Sequence, residues 1–219
     1  VSDQLLHVAE AMITVIDSNG ISLQSSSEKL NAHEFAELAT AEIAYLNSQC
    51  PELNTTVRVR NDVSGVMVNR GVFNISSNYK ITKERAEALI QHEVGTHIAT
   101  YFNGKAQSLQ LFSLGVPGYE KLQEGLAVFS EYMVDGLSNE RLKILAARVI
   151  CVRHMLMGNS FVDTFSLLVE QYNFTEDIAF NITMRVYRGG GLTKDAVYLQ
   201  GLIELLEYLR EGNEINILT

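Results

Sequence analysis

Two histidines stand five residues apart in the segment Gln91-His92-Glu93-Val94-Gly95-Thr96-His97. The surrounding pattern predicts a helix there, with Thr82 as N-cap, running to Phe102 and stopped by Asn103-Gly104. On a regular α-helix five residues turn through about 500°, so the two rings would point roughly 140° apart. Rings so oriented cannot meet at one point. A one-residue π-bulge widens the turn and brings both onto one face. Gly95 lies between them and tolerates the distortion. The spacing therefore predicts a helix that is wide or broken between Val94 and Thr96.

Two imidazoles with a glutamate beside the first suggest a metal site. A catalytic zinc takes neutral imidazoles and a carboxylate and keeps one position open for water. A second carboxylate next to that water then serves as general base. Glu93 is placed for this role, and one Zn2+ per chain is the expected cofactor. Gln123-Glu124-Gly125-Leu126-Ala127 opens a helix after the Gly115-Val116-Pro117-Gly118 loop. The small residues after Glu124 permit close helix packing, so Glu124 is the best candidate third ligand. Glu120 and Glu131 fall on roughly the same face. Either could orient a ligand histidine, and either could take the place of Glu124. His7, His33 and His154 stand apart from the pair.

The rest of the chain sets the frame for this segment. Residues 3–17 and 32–48 read as amphipathic helices, the first with Leu5, Val8, Met12 and Val15 or Ile16 on one stripe. Ser22 to Ser27 reads as a loop. Thr55 to Arg60 alternates, and Val66 to Ile75 is β-branched and aromatic with a break at Arg70-Gly71, which predicts two or three short antiparallel strands. Helices then fit 119–135, 139–157, 161–171, 176–187 and 194–211, punctuated by glycines. The expected fold class is α+β and mostly helical, with a small antiparallel sheet preceding the zinc-binding helix in a zincin-like arrangement. Residues 1–219 are expected to form one catalytic domain, with 1–53 a helical lead-in and 54–219 the core.

A chain of 219 residues, 47% of them apolar and only two of them proline, has enough material for a full core. The formal charge of -9 and the absence of a Lys/Arg run argue against nucleic acid as a partner. No uncharged run of 18 apolar residues is present, so no membrane partner is expected. Cys50 and Cys151 lack metal or redox spacing and read as two buried free thiols of a reducing compartment. With no signal peptide read at the start of the sequence, the cytoplasm is the expected location. The chain begins at Val1 and is read as a fragment of a longer one.

The histidine segment together with Gln123-Glu124-Gly125-Leu126-Ala127 resembles the bacterial QEGLA-motif proteins. Eukaryotic members of that superfamily are the microtubule-associated tyrosine carboxypeptidases, which remove the C-terminal tyrosine of α-tubulin. The resemblance extends over Tyr101-Phe102-Asn103-Gly104, Leu137-Ser138 and the stretch from Arg185 to Asp195. It implies zinc ligands at His92, His97 and Glu124 and a catalytic glutamate at Glu93. It also implies a metallocarboxypeptidase acting on the C-terminus of a peptide or protein.

The implied chemistry is amide hydrolysis. Tyr187 and Tyr198 are candidate donors to the oxyanion. Arg185, Arg188 and Lys194 surround a triple glycine and are candidates for binding a terminal carboxylate, with a helix-end charge arrangement as the simpler account. An extended peptide pairing with the sheet edge along Val66 to Ile75 would bring Arg70 to the cleft rim. An endopeptidase, another amide hydrolase, and a non-catalytic zinc-binding regulator are the competing functions.

Overall fold

The computed structural model describes residues 1–19, 28–115, 117–188 and 193–215. The loop expected at Ser22 to Ser27 and the triple glycine at 189–191 lie outside the described residues. Contacts divide the chain into two compact units, Val1–Gln24 with Ser138–Ile203 and Ser25–Leu137 with Glu204–Thr219. The boundary expected after residue 53 falls inside the second unit.

The described part of the first unit is helical: α1 (Asp3–Ser18), α6 (Asn139–Leu156), α7 (Phe161–Glu170), α8 (Glu176–Tyr187) and the start of α9 (Lys194–Arg210). Helix α6 is buried nearly all round, through Leu145, Ala146, Ala147, Val149, Ile150, Cys151 and Val152. Such a helix must be a centrepiece, and α1, α7 and α8 all pack on it. The buried stripe of α1 is Leu5, Ala9, Ile13 and Ile16. Val8 and Met12 are half-buried and Val15 is exposed, so the face is turned by about one residue from the sequence reading. Lys143 is buried in α6. Its Nζ pairs with Asp17 at 2.6 Å and lies 4.7 Å from the Phe174 ring centroid, which compensates the charge. Met157 is exposed at the end of α6.

The second unit holds the sheets and the histidine helix. A capping box between Asn31 and Glu34 starts α2 (Ala32–Gln49). Strands β1 (Lys29–Asn31) and β5 (Lys80–Thr82) form an antiparallel pair. Strands β2 (Val57–Arg60), β3 (Val66–Asn69) and β4 (Val72–Ser76) form a second sheet in the order β2-β4-β3. This sheet is mixed rather than purely antiparallel: β4 pairs antiparallel with β3 but parallel with β2. The reason lies in the turn. Arg70 and Gly71 both take positive φ, 50° and 74°, as a tight two-residue hairpin requires. The hairpin returns the most apolar strand, with Phe73 and Ile75 fully buried, to the central position.

That central strand faces a core built from Phe35, Ile43, Ile81, Ile90, Val94 and Ile98. Phe35 meets Phe73 edge-on at 6.0 Å. Val94 and Ile98 belong to the histidine segment, so the core fixes the back of that segment. The helix runs on as α3 (Lys83–Ile90), a π-helical segment (Gln91–Ile98) and α4 (Ala99–Ala106). It passes through Asn103-Gly104, where a stop was expected. Gly104 serves instead as a contact, because a Cβ there would lie 2.5 Å from the Phe112 carbonyl oxygen. A short 3-10 turn (Gln110–Ser113) leads to α5 (Tyr119–Met133), whose N-cap Gly118 has φ 89°.

Candidate metal centre

The site begins with the wide helix. In a π-helix the hydrogen bonds run over five residues, and Thr96 Oγ1 also bonds the Gln91 carbonyl oxygen five residues back, at 3.3 Å. With roughly 4.4 residues per turn, a five-residue step rotates by only about 50° beyond a full circle. The His92 and His97 rings therefore stand together, with centroids 5.1 Å apart. The distortion spans all eight residues from Gln91 to Ile98, more than a single bulge. Gly95 is not among the positive-φ residues, so its contribution is space. A Cβ there would come within 2.5 Å of Gln91 Oε1, and the Gln91 amide donates to Glu42 at 2.9 Å.

Helix α5 packs against this segment. Its buried residues Glu124, Gly125, Ala127, Val128 and Glu131 form the contact face, and the small ones let the helices approach. Thr96 Oγ1 donates to Ser130 Oγ at 3.3 Å and ties the two elements together. Glu124 Oε2 lies 3.7 Å from His92 Nε2 and 3.6 Å from His97 Nε2. Across the group, the three ligand atoms all lie within 4.8 Å of one another. Donors about 2.0–2.1 Å from a tetrahedral zinc are about 3.3 Å apart, so His92, His97 and Glu124 could hold a metal ion with little movement.

The sequence left Glu120 and Glu131 open as further partners, and the structure distinguishes them. Glu120 is exposed, whereas Glu131 is fully buried. Glu131 Oε1 lies 2.7 Å from His92 Nδ1, and its Oε2 pairs with Arg85 Nη1 at 2.7 Å. A carboxylate held by a guanidinium is ionised and accepts only. His92 Nδ1 therefore donates to Glu131, which leaves the Nε2 lone pair turned toward Glu124 and His97. Burial alone opposes a charged His92. Hydrogen bonding to Glu124 and Glu131, with the Glu93 charge nearby, outweighs it and holds its pKa above the ordinary imidazole value.

Arg85 is the site residue that sequence reasoning missed. Its signal was there: Arg85 precedes His92 by seven residues, two helical turns, just as Glu131 follows Glu124 by seven. Gly136 makes the pairing possible. A Cβ on Gly136 would lie 2.3 Å from Ala88 Cβ, and Arg85 Nη1 also donates to the Gly136 carbonyl at 3.3 Å. Glu93, half-buried, has no hydrogen bond or ion pair among the described residues.

The family model for the microtubule-associated tyrosine carboxypeptidases matches residues 2–218, a span that includes all these residues. The chain belongs to that family. Among curated proteins, none matches it. The fold of this chain is similar to that of a solved structure from Shewanella oneidensis, described as "a putative lipoprotein of unknown function", at a TM-score of 0.55 and 15% identity. The match covers 95% of this chain and 50% of that one, so the chain spans about half that protein's length. At this identity the likeness concerns the fold alone. The family name carries a carboxypeptidase relation, in keeping with a pair of histidines and a glutamate brought to one point.

The remaining residues singled out in this family member fall in two places. Arg70 sits at the exposed tip of the β3–β4 hairpin, in the same unit as His92, His97 and Glu124. Arg185, Tyr187, Arg188, Lys194 and Tyr198 belong to the helical unit. Arg185 Nε bonds Asp195 Oδ1 at 2.5 Å, and its Nη2 lies 3.4 Å from the Tyr198 hydroxyl. The Tyr187 hydroxyl bonds Thr164 Oγ1 at 2.6 Å and donates to the Asn159 carbonyl at 2.8 Å. Arg188 is the exposed C-cap of α8, and Lys194 is exposed at the start of α9. His154 bonds Thr164 Oγ1 at 2.7 Å within α6–α7 packing. No helix among the described residues is long and apolar enough to cross a membrane.

Proposed function

We propose that this chain is a zinc-dependent metallopeptidase, acting as a carboxypeptidase on the C-termini of peptides or proteins. The observation that carries the reading is the convergence of His92 Nε2, His97 Nε2 and Glu124 Oε2, with Glu131 and Arg85 fixing the His92 tautomer. His92, His97 and Glu124 would hold the ion. Two nitrogens and one oxygen, with no cysteine among them, form the donor set of a catalytic zinc with an open position. When bound, zinc supplies Lewis acidity, lowering the pKa of water toward about 7 and polarising the scissile carbonyl.

The chain's own residues do the rest. Glu93 carries a carboxylate on the same turn as His92 that is committed to no other side chain among the described residues. It takes a proton from the attacking water and passes it to the leaving amine nitrogen. Strand β3 is a sheet edge in contact with the π-helical segment, which offers main-chain groups to an extended peptide. The carboxypeptidase assignment rests on family membership.

Elemental analysis of the purified protein and of H97A and E124Q tests the metal. About one zinc per chain, lost or much weakened in both variants, is the expected result. Peptides with free and amidated C-termini, with E93Q as control, test the exopeptidase reading. Cleavage of only the free-acid peptides, abolished in E93Q, is expected. Equal cleavage of both kinds would mean an endopeptidase, and no metal after zinc loading would mean the reading is wrong.

A further inference from the structure

Helix α6 carries a guanidinium that its surroundings do not satisfy. The Arg148 side chain is only 13% exposed. Its Nε is buried without a hydrogen-bond partner, and no hydrogen bond to its other nitrogens is found among the described residues. The nearest carboxylate oxygen, Asp195 Oδ1, is 3.9 Å from Nη1 and already accepts from Arg185 Nε at 2.5 Å. Two guanidiniums thus share one carboxylate. Both lie over the Tyr198 ring, Arg148 at 5.5 Å and Arg185 at 5.8 Å from its centroid. An aromatic face offsets part of a cation's desolvation, but not the buried Nε–H left without a partner.

Burial, with the fields of Arg141 and Arg185 added, pushes the Arg148 guanidinium down to about 9. It still carries its charge at neutral pH. A charge buried with too little countercharge and no hydrogen bonds is costly to keep. The cost is offset when an anion enters.

We propose that Arg148, beside Arg185 and Tyr198, forms a binding site in the helical unit for a small oxyanion with two acceptor oxygens, a carboxylate or a phosphate. The two Nη groups, side by side at the planar end of the guanidinium, match two such oxygens. The site stands on residues of one unit and is independent of the zinc reading, so either can fail without the other.

The test is NMR of arginine Nε–H signals in the intact, 15N-labelled protein. The Arg148 signal is identified by its loss in R148K. Sodium acetate and sodium phosphate are titrated separately, with sodium chloride adjusted to constant ionic strength. A saturable shift of the Arg148 signal in the millimolar range is expected with at least one of them. Response to acetate alone assigns a carboxylate ligand, and response to phosphate alone a phosphoryl group. Melting temperature gives the second reading. The responding anion raises it in the wild type and not in R148M, and R148M melts no lower than the wild type in chloride alone. No saturable shift with either anion overturns the proposal. So does an R148M protein that loses stability in chloride, because Arg148 would then be satisfied within the fold. If R148M does not fold, the wild-type titration decides alone.

Discussion

Glu131 shows how much a single buried side chain sets at this site. It is fully buried, accepts from His92 Nδ1 and is paired with Arg85. E131Q keeps the shape but gives up the charge that fixes the His92 tautomer. Zinc affinity in E131Q is expected to fall by about 10- to 100-fold, the usual effect of losing such a partner, and competition with a chromogenic chelator measures it. The raised His92 pKa has a sign that can be followed. In the metal-free protein the group stabilises the fold fully below its unfolded pKa, and that contribution is lost as pH rises through the folded value. Zinc needs the neutral ring, so zinc affinity runs the other way and climbs over the same window. Melting curves of metal-free protein and chelator competition across that window check both slopes. The cysteines make a third case. Cys50 is exposed rather than buried as expected, while Cys151 is buried and its thiol is pushed up to about 12, chiefly by burial. A thiol reagent at pH 8 is expected to titrate one thiol in the native protein and two after unfolding.

At the level of elements, the π-helical segment and α5 have to meet at a fixed distance. The core holds one side of the segment through Val94 and Ile98, and α5 holds the other through Thr96 and Ser130. Gly136 sets the approach of α3 to the end of α5, since a Cβ there collides with Ala88. G136A is expected to cost about 1–3 kcal/mol as an overpacked contact. It should also weaken zinc binding by displacing Arg85 from Glu131. Urea unfolding and chelator competition on one sample measure both. A variant with unchanged stability would show that the α5–α6 turn yields freely and does not set the distance.

For the whole molecule, a zinc ion held as proposed would join elements that are far apart in sequence, His92 and His97 on one helix and Glu124 on another. Binding to the folded state alone stabilises it by mass action, by about 2.7 kcal/mol when free zinc is 100-fold above Kd. Zinc is therefore expected to raise the melting temperature of the wild type and leave that of H97A unchanged, as read by scanning calorimetry.

The sequence by itself determined the histidine spacing, the family motifs and most of the helices. A five-residue step from His92 to His97 cannot bring two rings together on an α-helix, and the wide helix that results follows from local geometry alone. Glu124 and the helix spans were legible because motif spacing and apolar periodicity are short-range properties. The tertiary structure decided what local pattern cannot hold. Strand pairing was one case, since β2 runs parallel to β4 only because the hairpin at Arg70-Gly71 returns β4 to the middle. The choice of Glu131 over Glu120 was another, because only packing buries one and exposes the other. Arg85 and Arg148 belong here too. Whether a guanidinium finds a carboxylate, as Arg85 does, or lacks hydrogen-bond partners among the described residues, as Arg148 does, depends on groups brought close by folding from distant parts of the chain.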